Sequence, residues 1–187
     1  MKKILLILVA ALLVLSVGNA AAFCLGAGAS YTFGNDFYKF DYSTSSSGDF
    51  SATNTCVIPV GSYLAAHLLL GEKYAMLDVG AGFAGDIIPI FIGGISKYFD
   101  LFGGLVSIGS GGVITYFIMP ARVEPGSYWL LQTKMLEVEV NLPILPVSAY
   151  VSGGLEMPMV FYTDPNKNMA FGFGWVVEAG ARVYLWK

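Results

Sequence analysis

The chain has 187 residues, a formal net charge of −3, 56% hydrophobic residues and only 12% charged ones. An average soluble domain carries about 25% charged residues, so the composition excludes a disordered segment, a solvated coiled coil and a basic nucleic-acid binder. Two cysteines exclude a disulfide-dense scaffold and a four-thiolate metal site.

In chain order, Met1-Lys2-Lys3 precedes an uncharged apolar run over residues 4–15 and small residues over 16–22. That is the layout of a secretory signal peptide, too short and wrongly flanked for a stable transmembrane helix. The expected organisation is a signal peptide over 1–22 and one domain over 23–187. Cys24 follows Phe23 where lipoprotein signals place a small residue, so lipidation is not expected.

The first strand is expected over 24–34, followed by a polar loop over 35–51. In that loop Phe37, Tyr38, Phe40 and Tyr42 offer aromatic anchors among polar residues. A second strand is expected over 54–70, bent near Pro59 and Gly61, then strands over 73–84 and 87–99. The stretch 101–121 is uncharged and long enough for a membrane helix. Its five glycines and its Val, Ile, Thr and Tyr suit a strand better, here placed over 104–118. Strands over 128–141, 144–157 and 169–186 complete the series.

The last of these carries the clearest pattern. Phe171, Phe173, Trp175, Val177, Ala179, Ala181, Val183 and Leu185 alternate with Gly172, Gly174, Val176, Glu178, Gly180, Arg182, Tyr184 and Trp186. One face is wholly apolar; the other is small, charged or amphipathic, a period of two that a helix cannot give. The mixed faces are poor in Lys and rich in Gly, Ser and Tyr, which suits the interior of a narrow barrel rather than a water-washed surface. Connections after odd strands are mostly long and those after even strands short, as in exported barrels with both termini on one side. The fold class is all-β, an eight-stranded antiparallel up-and-down transmembrane β-barrel. A ten-strand alternative would cut the second strand at Val57 and break again near 109–112. The eight-strand register sets Cys24 and Cys56 a membrane-crossing length apart and predicts no disulfide between them.

In architecture, across the signal peptide and essentially all of the remaining chain, the sequence resembles the small eight-stranded outer-membrane proteins of diderm bacteria, the OmpA-, OmpX- and OmpW-type barrels. Its final strand, with Tyr184 and Trp186, is similar to their assembly signal but departs from it in ending on Lys187. The resemblance implies an outer-membrane location, lipid as the surrounding partner, and extracellular or envelope partners reached through loops.

Candidate chemistry is sparse. His67 is the single histidine, with no serine close in sequence but Ser62, and a packing role is expected for it. No metal or cofactor site, catalysis or nucleic-acid binding is expected. The interior charges expected are Asp78, Glu137, Glu139, Glu156, Glu178 and Arg182, with Arg182 as central counter-ion beside Tyr150 and Tyr184, and Lys73 and Lys97 near the rims. The functional expectation is a non-enzymatic outer-membrane barrel with a side-chain-filled lumen and a structural or adhesive, loop-mediated role. The alternatives are a conduit for small hydrophobic molecules, through a lumen containing Tyr63, Leu69, Met76 and Val176, and, lower, a helical inner-membrane protein.

Overall fold

A computed structural model of the chain describes residues 23–42, 50–53, 62–72, 74–121, 123–142, 144–163 and 169–186. The expected signal peptide and Cys56, Lys73 and Lys187 lie outside them. The strands are β1 (Phe23–Tyr42), β2 (Phe50–Thr53), β3 (Ser62–Glu72), β4 (Ala75–Phe83), β5 (Ile88–Leu101), β6 (Val106–Ile118), β7 (Gly126–Asn141), β8 (Val147–Tyr162) and β9 (Met169–Trp186). Each long strand pairs antiparallel with its neighbour, and β1 pairs with β9, so β1 and β3–β9 close into an eight-stranded up-and-down barrel. The short β2 pairs only with the far end of β1, from Lys39 to Tyr42. The ten-strand alternative therefore falls. The helical alternative falls with it: 101–121 forms a short 3-10 turn (Phe102–Gly104) and then β6. Among the described residues no helix is long and apolar enough to cross a membrane.

Closure follows from the alternation. Burial along β7, β8 and β9 alternates, apart from steps at 135–136 and 153–154, with one set packed inside and the other more exposed. Both described chain ends, Phe23 and Trp186, lie at one end of the barrel, the termini end; the 84–87 turn, the end of β6, the start of β7, the end of β8 and the start of β9 lie at the far end. At the far end Ala84 and Ile87 bond reciprocally across Gly85-Asp86, at 3.0 and 3.3 Å. Gly85 has φ +68°, the positive dihedral such a two-residue hairpin requires.

Three sequence expectations are corrected. Residues 35–42 are not loop: they continue β1, paired with β9 from Asn35↔Trp175 to Tyr42↔Met169. Their polar, aromatic composition looks like a loop, but a long partner strand holds them extended. Phe37 is the extra residue of a bulge there, and Tyr38, Phe40 and Tyr42 lie in the paired segment beyond it. Residues 158–162, expected to be loop, extend β8, and Pro158 sits inside the strand opposite Leu130. The β8–β9 ladder has no pairs at 157 and 158, where proline has no N–H to give. The third concerns β7, where strict alternation would set Met135 on the same inward face as Glu137 and Glu139; instead Met135 is an extra residue relative to both neighbours: Lys134 faces Gly154 and Leu136 faces Gly153 on β8, while Gly111 faces Lys134 and Gly109 faces Glu137 on β6. This bulge leaves Met135 and Leu136 both outside, 66% and 54% exposed, and turns Lys134 and Glu137 both inward.

Candidate functional site: the filled lumen

The interior is layered. At the termini end Cys24, Leu69, Met76, Ile95 and Tyr184 pack together. Toward the far end Tyr63, Ala65, Phe91 and Val113 form a second apolar cluster, and Ile87, Phe117, Tyr128, Leu130, Val160 and Ala170 a third. The charges lie among and between these clusters.

Of the residues singled out from sequence, Asp78, Glu137, Glu139, Glu156, Glu178 and Arg182 are all buried inside the barrel. The structure brings four of them into two ion-paired groups. Arg182 on β9 donates from Nη1 and Nη2 to the two carboxylate oxygens of Glu137, at 2.6 and 2.9 Å, and from Nη1 to Glu139 Oε2 at 2.7 Å. Its guanidinium lies 3.6 Å from the centre of the Tyr150 ring. Tyr184 donates its hydroxyl to Glu139 at 2.9 Å. Glu178 accepts from Tyr150, from Thr32 at 3.3 Å and from Lys134 Nζ at 2.8 Å. Glu156 accepts from Gln132 Nε2 at 3.3 Å, and Tyr63 donates to the other end of that amide. Gly34 makes room for this carboxylate, since a Cβ at position 34 would overlap it.

Two basic partners depart from the sequence reading. Lys97 stands near the termini end, level with the Tyr74 turn, but is turned inward: its ammonium is buried and donates to Glu139 Oε1 at 2.9 Å. Lys134 was not foreseen as a lumen residue, because the regular alternation that puts Glu137 inside puts Lys134 inside only if a bulge intervenes. The readable signal is Met135-Leu136, two adjacent apolar residues between inward polar sets. Five carboxylates and three Lys/Arg side chains are thus buried among the described residues, so Arg182 shares the counter-ion role. Desolvating so many charges is costly, and ion pairing with supplementary hydrogen bonds offsets that cost.

His67 is likewise more than packing. Its Nδ1 faces both carboxylate oxygens of Asp78, at 2.9 and 3.1 Å, and its Nε2 is 2.7 Å from Ser30 Oγ. Ser30 is on β1, His67 on β3 and Asp78 on β4, so the array spans three neighbouring strands. The Phe91 ring is 4.8 Å from the imidazole and occupies the room left by Gly80, where a Cβ would strike it. A gap beside the ring is lined by Thr32, Tyr63, Ala65, His67, Phe91, Val113 and Glu178; it is interstitial rather than a chamber. Sequence reading missed Ser30 because it stands 37 residues from His67, and only the β1–β3 register joins them. No group of three or more His, Cys, Asp or Glu among the described residues is arranged to hold a metal ion.

The outward face is the complement of this interior. From β1 to β9 its exposed side chains include Tyr31, Leu64, Leu68, Ile90, Ile92, Ile114, Val151, Leu155 and Val177. Lys97, Lys134 and Arg182 all point the other way. Aromatic side chains mark both ends: Phe33–Trp175 and Tyr116–Trp129 pairs toward the far end, at 5.3 and 4.9 Å between ring centres, and Tyr74, Tyr98, Phe99 and Phe102 toward the termini end. Compared with known proteins, the chain matches no protein-family model and no curated protein.

Proposed function

We propose that this chain is an integral outer-membrane β-barrel of the OmpA/OmpX/OmpW type, exported by residues 1–22, with a filled lumen and a structural or loop-mediated interaction role. The observation that carries the reading is the inversion of polarity. Among the described residues most outward positions of the eight barrel strands are apolar or small, while nine Asp, Glu, Lys, Arg and His side chains are buried inside. Water would favour the opposite arrangement, and hydrocarbon favours this one. β4 has 9 residues and the other barrel strands 11 or more, against the roughly 9–11 needed to cross a bilayer. The aromatic side chains at both ends support interfacial anchoring.

The interaction role rests on the far end of β1. There Tyr38, Phe40 and Tyr42, with Phe37 at the bulge before them, belong to a strand extension paired with β2 and the start of β9. The conduit reading is disfavoured because Tyr63, Leu69, Met76 and Val176, its suggested lining, are packed to 6% exposure or less. Refolding from urea tests the membrane reading. The protein should gain a strand spectrum only with detergent micelles or vesicles, and Trp129 and Trp175 should be quenched by lipids brominated along the acyl chain. A folded, monodisperse protein in plain buffer would overturn it.

A further inference from the structure

We propose that the β5–β6 and β7–β8 connections form an apolar foot that dips into the phospholipid leaflet at the termini end, with Phe102, Ile144 and Leu145 at the boundary between headgroups and acyl chains. The proposal rests on the membrane reading and deepens it, because it names the partner of two turns that strand periodicity alone would leave in water.

The composition of the turns is the first observation. Residues 101–121 and 141–155 carry no charged side chain. Within the two connections Phe102 is 81% exposed and Ile144 94%, and Leu105, Leu142 and Leu145 are exposed as well. The other hairpin connections all carry charge: Glu72 and Lys73 between β3 and β4, Asp86 between β4 and β5, Arg122 and Glu124 between β6 and β7, Asp164 and Lys167 between β8 and β9. Asp100, at the end of β5, is held by the hydroxyls of Tyr74 and Ser107, at 3.2 and 2.8 Å.

The backbone is the second observation. Phe102 has φ +52°, ahead of Gly103 and Gly104 at +71° and +91°, in a left-handed conformation that a bulky side chain rarely adopts. Glycine would sit there without strain, yet the turn displays an aromatic ring outward. The two turns also move as one body. Asn141 donates from its side chain to Gly104 O at 3.0 Å and from its backbone to Leu105 O at 2.7 Å, and Tyr184 N donates to Pro146 O at 2.7 Å.

A large exposed apolar patch marks a contact with protein or membrane, and the shape of this one favours membrane. It is continuous with the outer wall, since Phe99 and Leu101 lead into it from β5 and Val140 from β7. Phe102 and Ile144 stand out as knobs with few neighbours. Such knobs suit a fluid that closes around them, and interfacial segments sink their apolar side chains about 5–10 Å into that boundary.

The test uses the full chain refolded in phosphatidylcholine vesicles, with Trp129, Trp175 and Trp186 replaced by phenylalanine and one tryptophan introduced at a time. Phe102→Trp and Ile144→Trp should emit blue-shifted light and resist acrylamide. Lipids brominated near the glycerol end of the acyl chain should quench them more than lipids brominated near its methyl end. Asp86→Trp, in an exposed turn at the far end, should stay red-shifted and open to acrylamide. Ile92→Trp, in the middle of the wall, should be quenched most by bromine near the methyl end, and so reports the membrane reading itself. If acrylamide reaches Phe102→Trp and Ile144→Trp as fully as Asp86→Trp while bromine quenches Ile92→Trp, the barrel keeps its membrane and the foot is overturned. Ile92→Trp untouched by bromine would overturn both. Shielding from acrylamide without bromine quenching, fading as the vesicles are diluted with lipid, would assign the turns to a second copy and overturn the foot as well. Ile144 touches little, so Ile144→Trp decides alone if Phe102→Trp does not refold.

Discussion

Arg182 on β9 and Glu137 on β7 join through two hydrogen bonds, 2.6 and 2.9 Å, although β8 lies between their strands. The pair therefore bridges the bore rather than a ladder, and Glu139 binds the same guanidinium. Arg182→Ala strands Glu137, which cannot reach water, and leaves Glu139 to Lys97 and Tyr184. Removing one partner of a buried pair costs about 3–5 kcal/mol, and urea denaturation in micelles should show a loss of that size. Ile144→Ala, at a position 94% exposed, should stay within about 0.5 kcal/mol of the parent. An Arg182→Ala barrel as stable as Ile144→Ala would remove the network from the account of stability.

Lys134 and Glu178 form the second bridge, at 2.8 Å, with both side chains buried. Lys134→Met alone leaves Glu178 with only hydroxyl donors and should destabilise by about 3 kcal/mol. Adding Glu178→Gln to Lys134→Met should recover more than half of that loss, since no unpaired charge remains. A double-mutant cycle measures the coupling; additive single costs would show that the two charges do not depend on each other.

Much of the fold was legible because the barrel is written in a period of two, and β9 is the case where reading and structure agree over Met169–Trp186. What was not legible came from pairing across the chain. Residues 35–42 have a loop's composition, and only their ladder with β9 makes them strand. Lys134 was hidden by a bulge that shifts parity, and the burial of Lys97 depends on Glu139 and Tyr184, partners 42 and 87 residues away. Ser30 and His67 are unremarkable apart, and no local pattern announces a contact between residues 37 positions distant.

The bulge on β7 makes an unusual prediction about deletions. Removing Met135 joins Lys134 directly to Leu136, so the strand becomes regular while every inward residue stays inward. That deletion should refold with a near-parental spectrum. Removing Val138 instead reverses parity from that point, sending Glu139 to the outer face and Val140 inward. It should fail to refold in micelles. If both deletions behave alike, the parity account of β7 is wrong.

Depth on the outer face can be read by charge. Ile92 pairs with Val79 and Ile114 near the middle of β5 and is 51% exposed. Ile92→Arg should cost about 2–4 kcal/mol in bilayers, the penalty for a cation at the midplane of a barrel. Ile144→Arg, in the 142–146 connection, should cost about 0–1 kcal/mol by the same depth dependence. Equal costs would place the membrane boundary elsewhere on the barrel, or nowhere.

Conductance separates two ways a filled barrel can be shut. If the ion pairs alone closed the bore, Arg182→Ala would open it. The structure places apolar packing on both sides of those pairs, with Leu69 and Ile95 toward the termini end and Phe117 toward the far end, each 1% exposed or less. Ions meeting such a dry constriction are stopped whatever the charge behind it. Planar-bilayer recording should therefore find no steady conductance in the parent or in Arg182→Ala. Combining Arg182→Ala with Leu69→Ala and Phe117→Ala should open a leak. It should favour cations, because five buried carboxylates then outnumber Lys97 and Lys134. Steady current from Arg182→Ala by itself would show that the ion pairs, not the apolar caps, are the seal.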